Sequence, residues 1–280
     1  MTKAVANRRP DLPPYAENKP YKVCSRRSTQ MALYHNDDIV SNAIRAGGMF
    51  EGRLICSMVE HMIAAPAGSA FVDVGANIGA WTVALASVVP DVPIVAVEPM
   101  PRNIKLLRWT LYQNNMNSVS LVHQALSETV GQDMCMWETA ATNRGNARLV
   151  PYFEGVRDFG EDKGKTCDVK VRVNTLDNVI AKTIGHGTRI WGMKLDIEGY
   201  ETLVMRGGQN TLAKNRPCKI WFEYQRAVTV ASGVKSTDLF RLLSKHGYTI
   251  YDTARNTKIQ GPLFFSADIF DALAVLPDCS

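Results

Sequence analysis

The chain is marked first by what it does not contain. Its six cysteines (Cys24, Cys56, Cys135, Cys167, Cys218, Cys279) include no CxxC pair and no Cys/His cluster, so no zinc site is expected. Scattered in a chain of 280 residues, they read as free thiols of a reducing compartment, and a cytoplasmic location is the expectation. No apolar run approaches the ~20 residues that a membrane-spanning helix needs. The stretch from Met1 to Pro14 is polar and holds no leader-like apolar segment. Outside the first thirty residues there is no excess of positive charge. Residues 1–30 carry seven bases and two acids, which accounts for the whole net charge of +5. A neutral remainder argues against nucleic acid as a partner. The five histidines are dispersed, with only His123 near a strand end, and there are no internal repeats.

What is present is an ordinary globular composition, 46% hydrophobic and 21% charged, enough for one sizeable core. Residues 1–30 are Pro-rich, basic and without periodicity, and read as a flexible arm preceding one domain over 31–280. Helices are expected at 37–45 and 51–64. Beyond them, apolar strands at 71–75, 94–98, 119–123, 191–196, 218–223 and 248–252 alternate with helical segments. A final strand is expected near 263–270. Such alternation predicts an α/β fold, a mostly parallel sheet with helices on both faces and a ligand beyond the carboxyl ends of the strands. Residues 127–170 break the rhythm and read as an inserted region of hairpins and loops. Within it, Asn143, Gly145 and Asn146 are candidates for a lid.

The most informative run is FVDVGANIGAWT (71–82): a strand, a glycine turn and a helix start, the unit that brings backbone close to a nucleotide. A dinucleotide fingerprint wants glycine at the first, third and sixth places of that turn, where Gly75, Asn77 and Ala80 stand. The acid at Asp73 is unsuited to an arriving pyrophosphate and suits the ammonium and sulfonium of S-adenosylmethionine. Glu98 ends the next strand about 20 residues on, where an acid accepts ribose hydroxyls. Lys194, Asp196 and Glu198 share one face at the end of a later strand. Paired carboxylates there suit general base work, with Asp196 the first candidate, Glu198 second and Lys194 tuning them. The same pair could bind a hard cation, although no metal is predicted. A salt bridge plus a helix N-terminal acid is the plainer reading of the pair. Glu223 is a further strand-end acid, and Tyr21, Trp137, Trp191 and Trp221 read as core or pocket-wall aromatics.

Taken in order, FVDVGANIGAWT, VAVEPMPRNIKLL (95–107), QALSE (124–128), VNTLDNVI (173–180), MKLDIEGYE (193–201) and IWFEYQ (220–225) make the sequence resemble the FkbM family of S-adenosylmethionine-dependent methyltransferases. HNDDIVSNAIRAGGMFEG (35–52) resembles the family's run before its first strand. The resemblance spans about residues 35–270 and implies a class I, Rossmann-like methyltransferase fold. It implies that Asp73, Gly75, Ala76, Asn77 and Gly79 surround the methionine part of the cofactor, and that Glu98 holds the ribose. It also implies that Ala125, Leu126 and Ser127 border the adenine and that Asp196 and Glu198 face the reacting centre. The implied activity is O-methylation of a hydroxyl on a sugar, polyketide or related metabolite, with a small molecule or glycan as acceptor. The alternatives are an NAD-linked oxidoreductase on a similar sheet and a non-catalytic binding protein that kept the fold.

Overall fold

The computed structural model describes residues 10–35, 38–138, 147–152, 154–155, 157–159, 162–167, 169–259 and 269–279. The chain opens with a hairpin, β1 (Ala16–Val23) and β2 (Arg27–Tyr34), followed by α1 (Ile39–Arg45) and α2 (Gly52–Ile63). Then come β3 (Ala70–Val74), α3 (Ala80–Val88), β4 (Ile94–Val97), α4 (Pro101–Gln113) and β5 (Val119–Val122). The inserted region holds β6 (Ala125–Leu126), β7 (Asp133–Glu138), β8 (Ala147–Pro151), β9 (Arg157–Phe159), β10 (Asp162–Lys165) and β11 (Val169–Asn174). Alternation resumes with α5 (Leu176–Thr183), β12 (Ile190–Leu195), α6 (Glu201–Arg206), a π-turn at Thr211–Asn215 and β13 (Lys219–Gln225). The chain finishes with α7 (Arg226–Ala231), α8 (Asp238–Lys245), β14 (Thr249–Asp252), β15 (Thr257–Lys258) and β16 (Ile269–Val275).

Eight strands form the main sheet in the order β15-β14-β16-β13-β12-β3-β4-β5. The pairs from β13 through β12, β3 and β4 to β5 are parallel, and β16 runs antiparallel between β13 and β14. The expected α/β architecture is therefore present. The order reverses between β3 and β12, which makes their carboxyl ends the topological switch point where a ligand crevice opens. Alternation along each strand divides the core in two. Phe71, Ile94, Ala96 and Trp221 pack on one side with α2, α3 and the hairpin. Val72, Val74, Val95, Val97, Leu195 and Phe222 pack on the other with α5 and α8.

Two expectations are corrected. The arm does not stay outside the fold: residues 16–34 form the hairpin, with Tyr21, Val23, Met31 and Leu33 fully buried. Tyr21 donates its hydroxyl to the Ala80 carbonyl at 3.2 Å, and the Ala32 amide donates to Thr110 on α4 at 3.0 Å. Each such buried side chain contributes ~1.5–3 kcal/mol, enough to outweigh the disorder expected of a Pro-rich, basic stretch. The inserted region is also more regular than loops. It builds a four-stranded sheet, β6-β11-β7-β8, whose Met134, Met136, Leu149 and Val173 pack against Met100, Tyr200 and Leu203. Asn143, Gly145 and Asn146, the candidate lid, lie outside the described residues.

The cysteines are the third correction. They form three disulfides, Cys24–Cys56, Cys135–Cys167 and Cys218–Cys279, and no free thiol remains. The first ties the hairpin turn to α2, the second ties β7 to the end of the inserted region, and the third ties the start of β13 to the chain's last turn. They close separations of 32, 32 and 61 residues, and each contributes about 2–4 kcal/mol by restricting the unfolded chain. Denatured but unreduced protein is therefore expected to show no thiol reactive to a maleimide, and six after reduction. Replacing Cys24 and Cys56 together by serine should lower the melting temperature by about 4–8 °C. Reactive thiols in the unreduced protein would refute the pairing.

Candidate active site

The turn after β3 is shaped by steric necessity. Gly75 has φ +81°, and a Cβ there would sit 1.9 Å from the Asp196 carbonyl oxygen. The ends of β3 and β12 can approach this closely only with glycine at that place. Gly79, with φ +98°, starts α3, and a Cβ there would meet Leu107 of α4 at 2.4 Å. Gly79 therefore serves helix packing. Between them, Asn77 takes a left-handed backbone (φ +52°) and its side-chain oxygen accepts the Ile78 amide at 2.7 Å.

A cavity opens beyond these strand ends. Its lining includes Gly75, Asn77, Glu98, Ala125, Leu126, Asp196 and Glu198, with Met136 and Leu149 of the inserted sheet as one wall. Seven expected site residues thus converge. Asp73, Ala76, Gly79, Ser127 and Lys194 do not line it. Asp73 is the chief correction: it is fully buried beneath the turn. Its Oδ2 accepts the Thr82 hydroxyl at 2.6 Å, and its Oδ1 lies 3.9 Å from Lys194 Nζ. Burial pushes its pKa up. It supports the turn from beneath and does not line the cavity.

Lys194 is likewise internal. Its ammonium donates to the Gly75 carbonyl at 2.6 Å and lies 3.1 Å from Asp196 Oδ2. Burial works against its charge, but the carboxylates of Asp196, Asp73 and Glu51 outweigh that and raise its pKa. It is a positioning residue. Glu98 is buried at the tip of β4 and accepts the amides of Asn77 and Met100, both at 2.8 Å, and Asn103 Nδ2 at 3.1 Å. A carboxylate has about four acceptor sites, so one stays open for a ribose hydroxyl in the cavity it lines.

At the mouth, Asp196, Glu198 and Glu223 bring one oxygen each within 4.8 Å of one another. Gln225 Nε2 donates to Glu198 Oε2 at 3.0 Å and also to Glu223, locking the two together. Burial, then the charges of Asp196, Glu223 and Glu201, push Glu198 up to about 8. Glu201 accepts the Ile197 and Gly199 amides at 3.0 and 3.2 Å, which fixes the turn that carries Glu198 at φ +55°. Such a trio can share a proton or hold a hard cation. Sequence reading missed Glu51, which stands at the start of the helix expected over 51–64. Burial pushes it up to about 7, it accepts Trp81 Nε1 at 2.7 Å, and with Asp196, Glu223 and Asp271 it lines a small adjoining cavity. No local signal marked it, because its neighbours come from α3, β12 and β16.

Replacing Lys194 with methionine leaves Asp73 and Asp196 uncompensated, and should cost about 3–5 kcal/mol of stability. Wild-type-like stability in urea denaturation would contradict the positioning role. A pH effect also follows. Folded Glu51, Glu198 and Glu201 keep their protons up to about 7, 8 and 7, whereas the unfolded chain releases them near 4.5. The folded state binds the extra protons in that window, so stability falls as pH rises through it. Neutral His61, pushed down to about 4 by burial, acts oppositely but only below its ordinary 6.5. The melting temperature should therefore fall between about pH 6.5 and 8.5, less steeply for Glu198→Gln. A rise over that interval would overturn the assignment.

A curated relative, the methyltransferase sdnD of Sordaria araneosa, is 29% identical over 160 residues, covering 51% of this chain and 61% of the relative. The chain thus spans about three fifths of that relative's length. Among solved structures, a SAM-dependent O-methyltransferase from Thermotoga maritima is 9% identical, with 92% of this chain and 77% of that one covered and a TM-score of 0.43. A precorrin-6y C5,15-methyltransferase from Geobacter metallireducens is 12% identical, with 81% and 89% covered and a TM-score of 0.41. The family model for the methyltransferase FkbM domain matches residues 73–250, the span that carries the turn, Glu98 and the carboxylate trio. By that match over more than half its length, the chain belongs to the FkbM family of methyltransferases.

Proposed function

We propose that the protein is an S-adenosylmethionine-dependent O-methyltransferase acting on a hydroxyl of a sugar, polyketide or related metabolite. The observation that carries the reading is the cavity that runs from the Gly75–Asn77 turn and Glu98 to the carboxylates of Asp196 and Glu198. Its residues fit the donor chemically: an open acceptor site on Glu98 for a ribose, apolar Leu126, Met136 and Leu149 for a flat base, and acids for an ammonium. When bound, S-adenosylmethionine supplies an electrophilic methyl on a sulfonium leaving group.

The chain's own part is alignment and proton removal. Lys194 holds the Gly75 carbonyl and the Asp196 carboxylate in one place. Glu198, with its pKa near 8, is the better base for a hydroxyl, reversing the order expected from sequence. Asp196, paired with Lys194, and Glu223, tied through Gln225, keep it basic by their charge. The three disulfides are of a kind that forms in an oxidising compartment.

Titration calorimetry is expected to show binding of S-adenosylmethionine and none of NAD. Binding of NAD alone would favour the oxidoreductase, and binding without S-adenosylhomocysteine formation in cell extract would favour a non-catalytic protein. Glu198→Gln should lower turnover about 10²–10⁴-fold, far more than it weakens donor binding. The wild-type rate should rise with pH through about 8, and the variant should lose that limb. Full turnover by Glu198→Gln would sink the base assignment. EDTA should leave the rate unchanged. A loss restored by Mg²⁺ would instead give the trio to a cation.

A further inference from the structure

We infer that the acceptor is an acidic saccharide whose anionic group is held by Arg53 and Lys219 in a groove beside the cofactor cavity, an inference that rests on the methyltransferase reading above. The groove lies on the sheet face next to α2 and has a volume of about 350 Å³. Arg53 and Ser57 of α2, Lys219 and Trp221 of β13, Tyr251 of β14 and Thr253 line it. Among the described residues, no carboxylate lines it. Of the two cations only Arg53 has a carboxylate near among the described residues, Asp271, so the pair attracts an anion, and hydroxyls around an apolar floor suit a polyhydroxylated ligand.

Lys219 is the sharper of the two signals. It is half-buried on the sheet, burial pulls its pKa below the usual lysine value, and no carboxylate of the described residues offsets that. A partly desolvated ammonium without a counter-ion is unfavourable until a ligand supplies one. Arg53 donates one Nη1 bond to the Thr253 carbonyl at 3.0 Å, which anchors the guanidinium at the rim and leaves the rest of its fork free.

The groove shares a wall with a cavity beside the carboxylates. Leu54 and Trp221 line both it and the small cavity that contains Asp196 and Glu223, and Asp196 also lines the cofactor cavity. Lys219, Trp221 and Glu223 alternate along one face of β13, opposite Val275, Leu273 and Asp271 of β16. At ~3.3 Å per residue, Lys219 stands about 13 Å from Glu223. An acceptor whose anionic group rests on Lys219 therefore needs about 13 Å of length to bring a hydroxyl to the carboxylate trio, a span that suits an oligosaccharide.

The test is titration calorimetry of the whole chain saturated with S-adenosylhomocysteine, using tetragalacturonate and neutral maltotetraose as probes. Tetragalacturonate is expected to bind at least tenfold more tightly. Arg53→Ala and Lys219→Ala should each weaken it about tenfold, and Lys219→Arg should retain it. S-adenosylhomocysteine affinity and the circular dichroism spectrum should not change in any variant. If S-adenosylhomocysteine binds but tetragalacturonate shows no advantage, or the alanine variants leave its affinity intact, the groove assignment is wrong and the methyltransferase reading stands. If S-adenosylhomocysteine itself fails to bind, both fall.

Discussion

The contact between the ends of β3 and β12 is the constraint on which the rest of the site depends. The strands approach so closely that Gly75 has no room for a side chain against the Asp196 carbonyl. Lys194 fills the space beneath and binds the Gly75 carbonyl, Asp196 and, more distantly, Asp73. One buried cation thereby joins the glycine turn to the strand-end carboxylates. Burial opposes both charge signs, so neither the ammonium nor the acids would be stable there alone. Together they set the relation between the Gly75 turn and the acids of the proposed site.

From that junction the electrostatics spread outward in layers. Glu201 ties down the loop that carries Glu198, Gln225 bridges Glu198 to Glu223, and Glu51 faces the same region from α2 with its carboxylate held by Trp81. The result is a concentration of acids whose raised pKa values destabilise the fold at alkaline pH and give the site a base near neutrality. Local stability is exchanged for chemistry, as expected where carboxylates are gathered for a purpose. The covalent staples offset part of this cost, since each of the three ties an otherwise peripheral segment to the sheet or its helices.

Parallel strands buried on both faces show as short apolar runs, and their turns and caps are local in sequence. The alternation, the Gly75–Gly79 turn, Glu98 and the Asp196/Glu198 pair were all legible for that reason. The hairpin was not, because Tyr21 and Val23 alternate with lysines and a proline in a stretch whose composition resembles a loose arm. The inserted region was legible as hairpins, but not as one four-stranded sheet, because its strands are short and the segments they join are distant in sequence.

By itself, the sequence determined the α/β class, the order of the elements, the glycine turn and which acids end which strands, because these follow from periodicity and from the steric limits of single residues. Only the tertiary structure decided which of those acids face the cavity. It turned Asp73 and Lys194 inward, brought Glu51 and Glu223 to Asp196, and paired cysteines 32 and 61 residues apart. These outcomes depend on strand register and on distances between remote segments. No local pattern encodes them, since a side chain's neighbours across a sheet are set by the packing of the whole chain.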